Sequence, residues 1–250
     1  MSRLVYGLHP VQQVLQRRPR EVAALFVAAQ GPRPRSQLEP LLKLARERGL
    51  KVLHVEGQEL VALTGGANHQ GVAATVGPFP YLDVEGLLER DTTRPPLILA
   101  VDSVTDPQNL GAILRSALVL GATGVVIPKD RAAQITPTVV RVSAGASEHL
   151  PCARVVNLAR ALDRLRDLGL WIAGTVESGG VHPAEADLEV PLVIVLGSEH
   201  SGIRPLVLKK CDLRLTIPSA AGAIASLNVA AAATAVLYEA ARQRRARDTR

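Results

Sequence analysis

Aromatic residues are scarce in this sequence: one Trp, three Tyr and two Phe among 250 residues, or 2%. Any core must therefore be packed from Leu, Val, Ile and Ala, and an apolar fraction of 47% supplies enough of them. Cysteine is nearly absent as well. Cys152 and Cys211 lie far apart, with no CxxC and no histidine beside them, which excludes both a disulfide framework and a thiolate zinc site. They read as reduced, packed thiols. The six histidines are scattered without metal-ligand spacing, so no metal site is expected. The N-terminal MSRLVYGLHPVQQ lacks the apolar stretch of a signal peptide. No run reaches the roughly 18 apolar residues of a membrane span, and the chain reads as cytoplasmic with no membrane partner. There is also no early glycine-rich strand–turn–helix, which disfavours a Rossmann-type nucleotide site.

What is present is basic charge. Lys and Arg number 29 against 23 Asp and Glu, giving +6 and a pI near 9.8. Such a balance suits a protein that meets phosphates; it equally describes a solvated surface from an arginine-using genome. The first part alternates short elements. Helices are expected over His9–Arg18, Ser36–Arg48 (with Ser36 as N-cap) and Gln58–Leu63, and strands over Ala23–Ala29, Lys51–Val55 and Gly71–Val76. Gly77-Pro78-Phe79-Pro80 then interrupts the pattern. A domain boundary is expected near residue 78, dividing a small α/β/α unit (1–78) from a larger one (79–250).

The second part reads as a doubly wound α/β domain. Helices are expected over Asp83–Arg90, Asn109–Leu120, Thr136–Glu148, Leu158–Leu168 and Leu227–Arg244. Between them, near-continuous apolar strands are expected at Leu97–Val104, Gly124–Pro128, Ala153–Val156, Leu170–Val176, Leu192–Leu196 and Leu213–Ile217. Unbroken apolar strands separated by helices indicate a parallel sheet covered on both faces. Arg242, Arg244, Arg245, Arg247 and Arg250 form a basic tail, read as a frayed end or an RNA contact.

In such sheets ligands bind beyond the carboxyl ends of strands, and three loops there are rich in Gly and small polar residues. The first, DSVTDPQNLGAILRSA, places Asn109 at a helix mouth and Arg115 six positions on, off the same narrow face. Taken alone, the loop is better accounted for by an Asx turn and a surface arginine. The second, LGSEHSGI, isolates Glu199 between Gly197 and Gly202 and has the spacing of neither a nucleophile elbow nor a dinucleotide fingerprint. The third, IPSAAGAIASLNVA, puts Ser226 where it would cap the last helix and Asn228 in that helix's first turn.

Together and in this order, the three loops resemble the three motifs of the SpoU branch of the SPOUT RNA methyltransferases, over about residues 97–245. YGLHPVQQVL and NHQGVAA near the N-terminus are similar to the substrate-binding domain of bacterial 23S rRNA guanosine 2′-O-methyltransferases, an L30e-like domain. The resemblance implies a parallel sheet ending in a C-terminal trefoil knot, S-adenosylmethionine as methyl donor, an RNA substrate, rRNA foremost, and a homodimer built on the final helix. It implies Asn109, Arg115, Glu199, Ser226 and Asn228 as active-site positions. Thr175, Gly197, Ile217 and Leu227 carry over as cofactor contacts. The implied activity is methyl transfer to a ribose 2′-hydroxyl, most directly of a 23S rRNA guanosine. A tRNA or antibiotic-resistance rRNA 2′-O-methyltransferase, or a non-catalytic RNA-binding assembly protein, are the competing expectations. The scarcity of aromatics favours recognition of RNA by phosphate contacts and shape over base stacking.

Overall fold

The computed structural model describes residues 2–30, 34–89, 94–199, 201–219 and 227–248. In chain order the elements are β1 (Arg3–Tyr6), α1 (Leu8–Arg17), β2 (Val22–Ala28), α2 (Arg35–Glu47), β3 (Val52–Val55), α3 (Gly57–Thr64) and β4 (Val72–Val76). There follow β5 (Leu97–Val101), α4 (Pro107–Val119), β6 (Gly124–Pro128), α5 (Pro137–Val142), β7 (Cys152–Val155), α6 (Leu158–Asp167) and β8 (Trp171–Thr175). The last four are β9 (Leu192–Leu196), α7 (Pro205–Leu208), β10 (Leu213–Leu215) and α8 (Val229–Asp248). The chain separates into two compact units: Met1–Pro80 with Ile135–His149, and Tyr81–Gln134 with Leu150–Arg250.

The first unit is built on a four-stranded sheet of order β1-β4-β2-β3, with β4 antiparallel to both neighbours and β2 parallel to β3. Helix α1 buries Val11, Val14 and Leu15, the i, i+3, i+4 stripe of its sequence. Ser36 is not an N-cap, because α2 starts one residue earlier with Pro34 in the cap position. The segment Ile135–His149 belongs to this unit, although the sequence reading assigned it to the larger domain as one helix over Thr136–Glu148. The helix is shorter for a local reason. Thr136 caps α5, but Ala144 (φ 52°) and Gly145 (φ 85°) take left-handed conformations after it, and the chain resumes only as a 3-10 turn at Ala146–Glu148. A Cβ on Gly145 would stand 2.7 Å from Gln13 Cγ, so both the backbone angle and the close approach require glycine there. The Glu148 side chain is fully buried and ion-paired with Arg3 (2.8 Å) and Arg18. Phe79 lies under both guanidinium groups, each 5.4 Å from its ring centre.

The second unit is a six-stranded, wholly parallel sheet of order β10-β8-β9-β5-β6-β7. Strands β5, β6 and β9 are buried at every residue, which is why they read as unbroken apolar runs. Helix α6, capped by Asn157, turns Leu158, Ala161, Leu162 and Leu165 inward onto Ile98, Val126 and Val193. Two expectations are corrected here. Asp83–Arg90 forms no α-helix among its described residues; it makes a single 3-10 turn at Glu85–Leu87. Gly86 sits in the middle, its N–H taken by Asp83 Oδ1 (2.9 Å) in a competing local turn. The basic C-terminus is ordered helix through Asp248, not a frayed tail. Arg244 donates to the carbonyls of Leu188 (2.9 Å), Val190 (2.6 Å) and Pro96 (3.3 Å), fastening the end of α8 down.

Candidate active site

All three small-residue loops leave the carboxyl ends of strands in one half of the sheet. Because the order is β10-β8-β9-β5, the ends of β9 and β5 that feed the second and first loops are adjacent, and β8 separates them from β10, which feeds the third. The register makes Thr175 opposite Leu215 and Leu196 opposite Val101, so Thr175 closes its strand at the sheet end from which Gly197 follows by one residue and Ile217 by two.

The first loop turns sharply after β5. Asp102, fully buried, is followed by Ser103 with φ 63°. Asp106 then caps α4 through Gln108 N (2.8 Å), with Pro107 in the first helical position, and this cap fixes where the helix begins. Asn109 consequently projects from the first turn. The second loop closes on itself: Ser198 N donates to Gly202 O (3.1 Å) and Gly202 N to Ser198 O (3.0 Å), leaving Glu199 near the tip. Gly197 is the constriction. A Cβ there would stand 2.2 Å from Gly202 C and 2.3 Å from Ile203 N, so no other residue fits. Of the third loop, residues 220–226 lie outside the described residues, and Ser226 with them. Helix α8 starts at Val229. Asn228, expected in its first turn, is instead its cap, accepting from Ala230 N (2.9 Å).

These three loops bring Asn109, Glu199 and Asn228 into one hydrogen-bonded cluster. Asn109 Nδ2 donates to Glu199 Oε1 (2.9 Å), and Asn228 Nδ2 donates to Asn109 Oδ1 (3.1 Å) and to Glu199 Oε1. Each amide orientation follows from the last. Ala230 N–H must meet an oxygen, so Asn228 turns its NH₂ to the cluster; Asn109 must then accept with Oδ1 and offer its own NH₂ to the carboxylate. Bonds to an ionised acceptor are the stronger kind, and Glu199 is thereby the hub that holds both amides.

Arg115 is not drawn into this cluster. It stands exposed on α4 and makes no hydrogen bond or ion pair among the described residues. Its neighbour Ser116 bonds Thr234 of α8 (2.8 Å), so the helix that carries Arg115 is pinned to the helix that Asn228 caps. Among the expected cofactor positions, Thr175 uses its hydroxyl on Val195 O (3.1 Å). Ile217 is half-buried, and Leu227 is 53% exposed, a large apolar side chain at the strand ends. Sequence reasoning missed Asp102 and Arg204. Asp102 Oδ2 accepts from Arg204 N (2.8 Å) and Oδ1 from Arg204 Nε (2.7 Å). The signal was a single carboxylate ending the apolar run LILAV.

The cysteines have no place in this chemistry. Both are free; burial raises the Cys152 thiol far above its ordinary range and pushes Cys211 up to about 11. Among the described residues no group of three or more His, Cys, Asp or Glu could hold a metal ion, and no helix is long and apolar enough to cross a membrane.

Comparison with known proteins decides what these loops belong to. The profile of the SpoU rRNA Methylase family matches residues 96–238, and that of the RNA 2′-O ribose methyltransferase substrate-binding family matches residues 4–82. The chain belongs to the SpoU rRNA methylase family. A protein named 23S rRNA (guanosine-2′-O-)-methyltransferase RlmB, from Pseudomonas putida, is 45% identical to this SpoU methylase over 249 residues, covering 98% of each chain. Solved structures agree over nearly the whole length. The SpoU methyltransferase AviRb from Streptomyces viridochromogenes, in complex with AdoMet, superposes with a TM-score of 0.81 at 29% identity, covering 98% of this chain and 91% of that one. An AdoMet-bound rRNA methyltransferase from Sinorhizobium meliloti gives 0.79 at 26% identity, covering 96% and 87%. The α/β fold with its parallel sheet is thus the fold of SpoU methyltransferases.

Proposed function

We propose that this chain transfers the methyl group of S-adenosylmethionine to a ribose 2′-hydroxyl of RNA, a guanosine of 23S rRNA. The observation that carries the reading is the Asn109–Glu199–Asn228 cluster, formed by residues 29 to 119 positions apart in sequence. A binding module has no use for such a cluster at the strand ends, and a relative 45% identical over 98% of each chain is named for this reaction.

The residues present suit the donor. Ile217 and the exposed Leu227 offer apolar surface for an adenine, beside the constriction at Gly197 and the strand-end Thr175. The sulfonium brings an already activated methyl group, so the chain's own residues need only position the hydroxyl and manage its proton and charge. Asn109 and Asn228, held by Glu199, orient the ribose. Exposed on α4 and making no hydrogen bond or ion pair among the described residues, Arg115 is placed to grip the adjacent phosphate with its guanidinium and to stabilise the developing alkoxide. Ser226, within the third loop, completes the set on the strength of its motif.

In the same reading the first unit, Met1–Pro80 with Ile135–His149, is an L30e-like RNA-capturing domain, and the second, Tyr81–Gln134 with Leu150–Arg250, is the methyltransferase domain with its C-terminal trefoil knot. The working form is a homodimer through α8, where Tyr238 is 60% exposed. The protein works in the cytoplasm, alongside its rRNA substrate.

The test is transfer of labelled methyl to 23S rRNA and to tRNA separately, with the label mapped by nucleotide. Label on a guanosine 2′-oxygen of 23S rRNA is the expected result. Label in tRNA alone would overturn the substrate, and no transfer together with no S-adenosylmethionine binding would overturn the enzyme.

A further inference from the structure

Asp102 lies in neither the hydrogen-bonded cluster nor the set of cofactor positions, yet it is fully buried at the carboxyl end of a central strand. A buried carboxylate is costly unless every partner is in place, so its partners indicate what it is for. Its backbone N–H meets Leu196 O (2.7 Å), at the residue where β9 ends and the second loop begins. Its side chain accepts from Arg204 N and Arg204 Nε and pairs with Arg204 Nη2 (2.6 Å). Arg204 stands two residues after Gly202, where the second loop ends.

One carboxylate therefore fastens the exit of the second loop to the start of the first. The second loop is closed at its neck by the Ser198–Gly202 pair and at its foot by Asp102 and Arg204, with Glu199 between these closures and the amides that it holds. The first loop runs from Asp102 through the left-handed Ser103 (φ 63°) to the Asp106 cap and Asn109. The distance between Asn109 and Glu199 is thus set from below by Asp102.

The geometry points to Asp102 as a positioning residue for methyl transfer, acting through Arg204 on the Glu199–Asn109 contact. The inference rests on the reading of that cluster as the active site. Asp102 touches none of the reacting groups. It defines the rate by placing the cluster, and it leaves S-adenosylmethionine affinity nearly unchanged.

The experiment is a double-mutant cycle on the full chain, with single-turnover methyl transfer to 23S rRNA and S-adenosylmethionine binding as separate readouts. Asp102→Asn keeps the shape, removes the charge and turns an NH₂ group toward Arg204 donors. The expected loss is about 100-fold in rate, the effect of misplacing a reacting group by about 1 Å, with cofactor affinity within about twofold. In the double variant with Glu199→Gln the loss is no larger than for Glu199→Gln alone, because both changes undo the same placement. Arg204→Ala keeps the backbone N–H to Asp102 and removes the guanidinium from a partly exposed site. It is the second variant should Asp102→Asn fail to fold, with a loss of about tenfold, again not additive with Glu199→Gln. If the losses multiply, or if Asp102→Asn or Arg204→Ala lowers thermal stability while the rate stays at wild type, Asp102 is merely structural and the inference falls. If Glu199→Gln alone keeps the full rate, the reading of the cluster falls first and takes the inference with it.

Discussion

Replacing Gly197 by alanine is a severe test of the loop geometry, because the structure leaves one methyl group nowhere to go. The new Cβ would meet Gly202 C at 2.2 Å and Ile203 N at 2.3 Å. Both are backbone atoms, so no side chain can swing aside and the neck of the second loop must open. Opening it breaks the two Ser198–Gly202 backbone bonds, each about 1 kcal/mol net. Crowding a packed site adds about 1–3 kcal/mol, giving roughly 3–5 kcal/mol in all. The loop can yield without unfolding β9, so only part of this sum is expected as lost global stability, a fall in Tm of about 2–4 °C per kcal/mol for a chain of this size. The remainder is expected as a displaced Glu199. Calorimetric titration with S-adenosylmethionine and single-turnover methyl transfer read the two consequences, and both should fall at least about tenfold, or ~1.4 kcal/mol. A Gly197→Ala protein with wild-type affinity and rate would refute the argument that this backbone constriction shapes the site.

Three further outcomes follow from the packing. Glu148→Ala removes the fully buried carboxylate that pairs with Arg3 and Arg18, leaving Arg18 its contact with Glu21, and should cost about 3 kcal/mol in urea unfolding; a loss below about 1 kcal/mol would contradict the pairing. Arg244→Met removes the donor to four backbone carbonyls, those of Leu188, Val190, Pro95 and Pro96, and should destabilise by about 2–3 kcal/mol. An unchanged melting curve would show that α8 is held by other means. Burial and the Arg17 charge hold the His149 imidazolium below its usual range, so the unfolded chain binds the extra proton first as pH falls past about 6.5. Stability should therefore decline with acidity through that region, and the decline should be shallower in His149→Gln. Identical pH profiles would remove His149 from the account.

Much of this molecule was readable in its sequence, and the failures have identifiable causes. Strands β6 and β9 fall where the apolar runs put them, because a strand buried on both faces needs apolar residues at every position. Helix α4 was found over most of its length, but it starts at Pro107 and not at Asn109, because Asp106 caps it with Pro107 in the first position. The expected helix at Asp83–Arg90 failed on Gly86, whose N–H goes to Asp83 instead of to a helical carbonyl. The expected helix at Thr136–Glu148 is present only over Pro137–Val142, cut short by two left-handed residues, and its segment belongs to the other unit. No composition shift marks that segment, since its apolar residues serve either core equally.

The site was legible only in pieces. Spacing put Asn109 at a helix mouth and Glu199 between glycines, but not in contact, because 90 residues separate them and only the strand order joins their loops. The family resemblance grouped them before geometry did. Asp102 stayed hidden because a lone carboxylate at a strand end looks the same whether it faces water or, as here, is buried against an arginine fork.

The most direct test of the account is single-turnover methyl transfer to 23S rRNA by Asn109→Ala and Arg115→Ala, each checked for folding and for S-adenosylmethionine binding. The account predicts that both bind the cofactor as wild type does while the transfer rate falls by about 100-fold or more, since each loses a group that acts only on the ribose and its phosphate. Full transfer by either folded, cofactor-binding variant would contradict it.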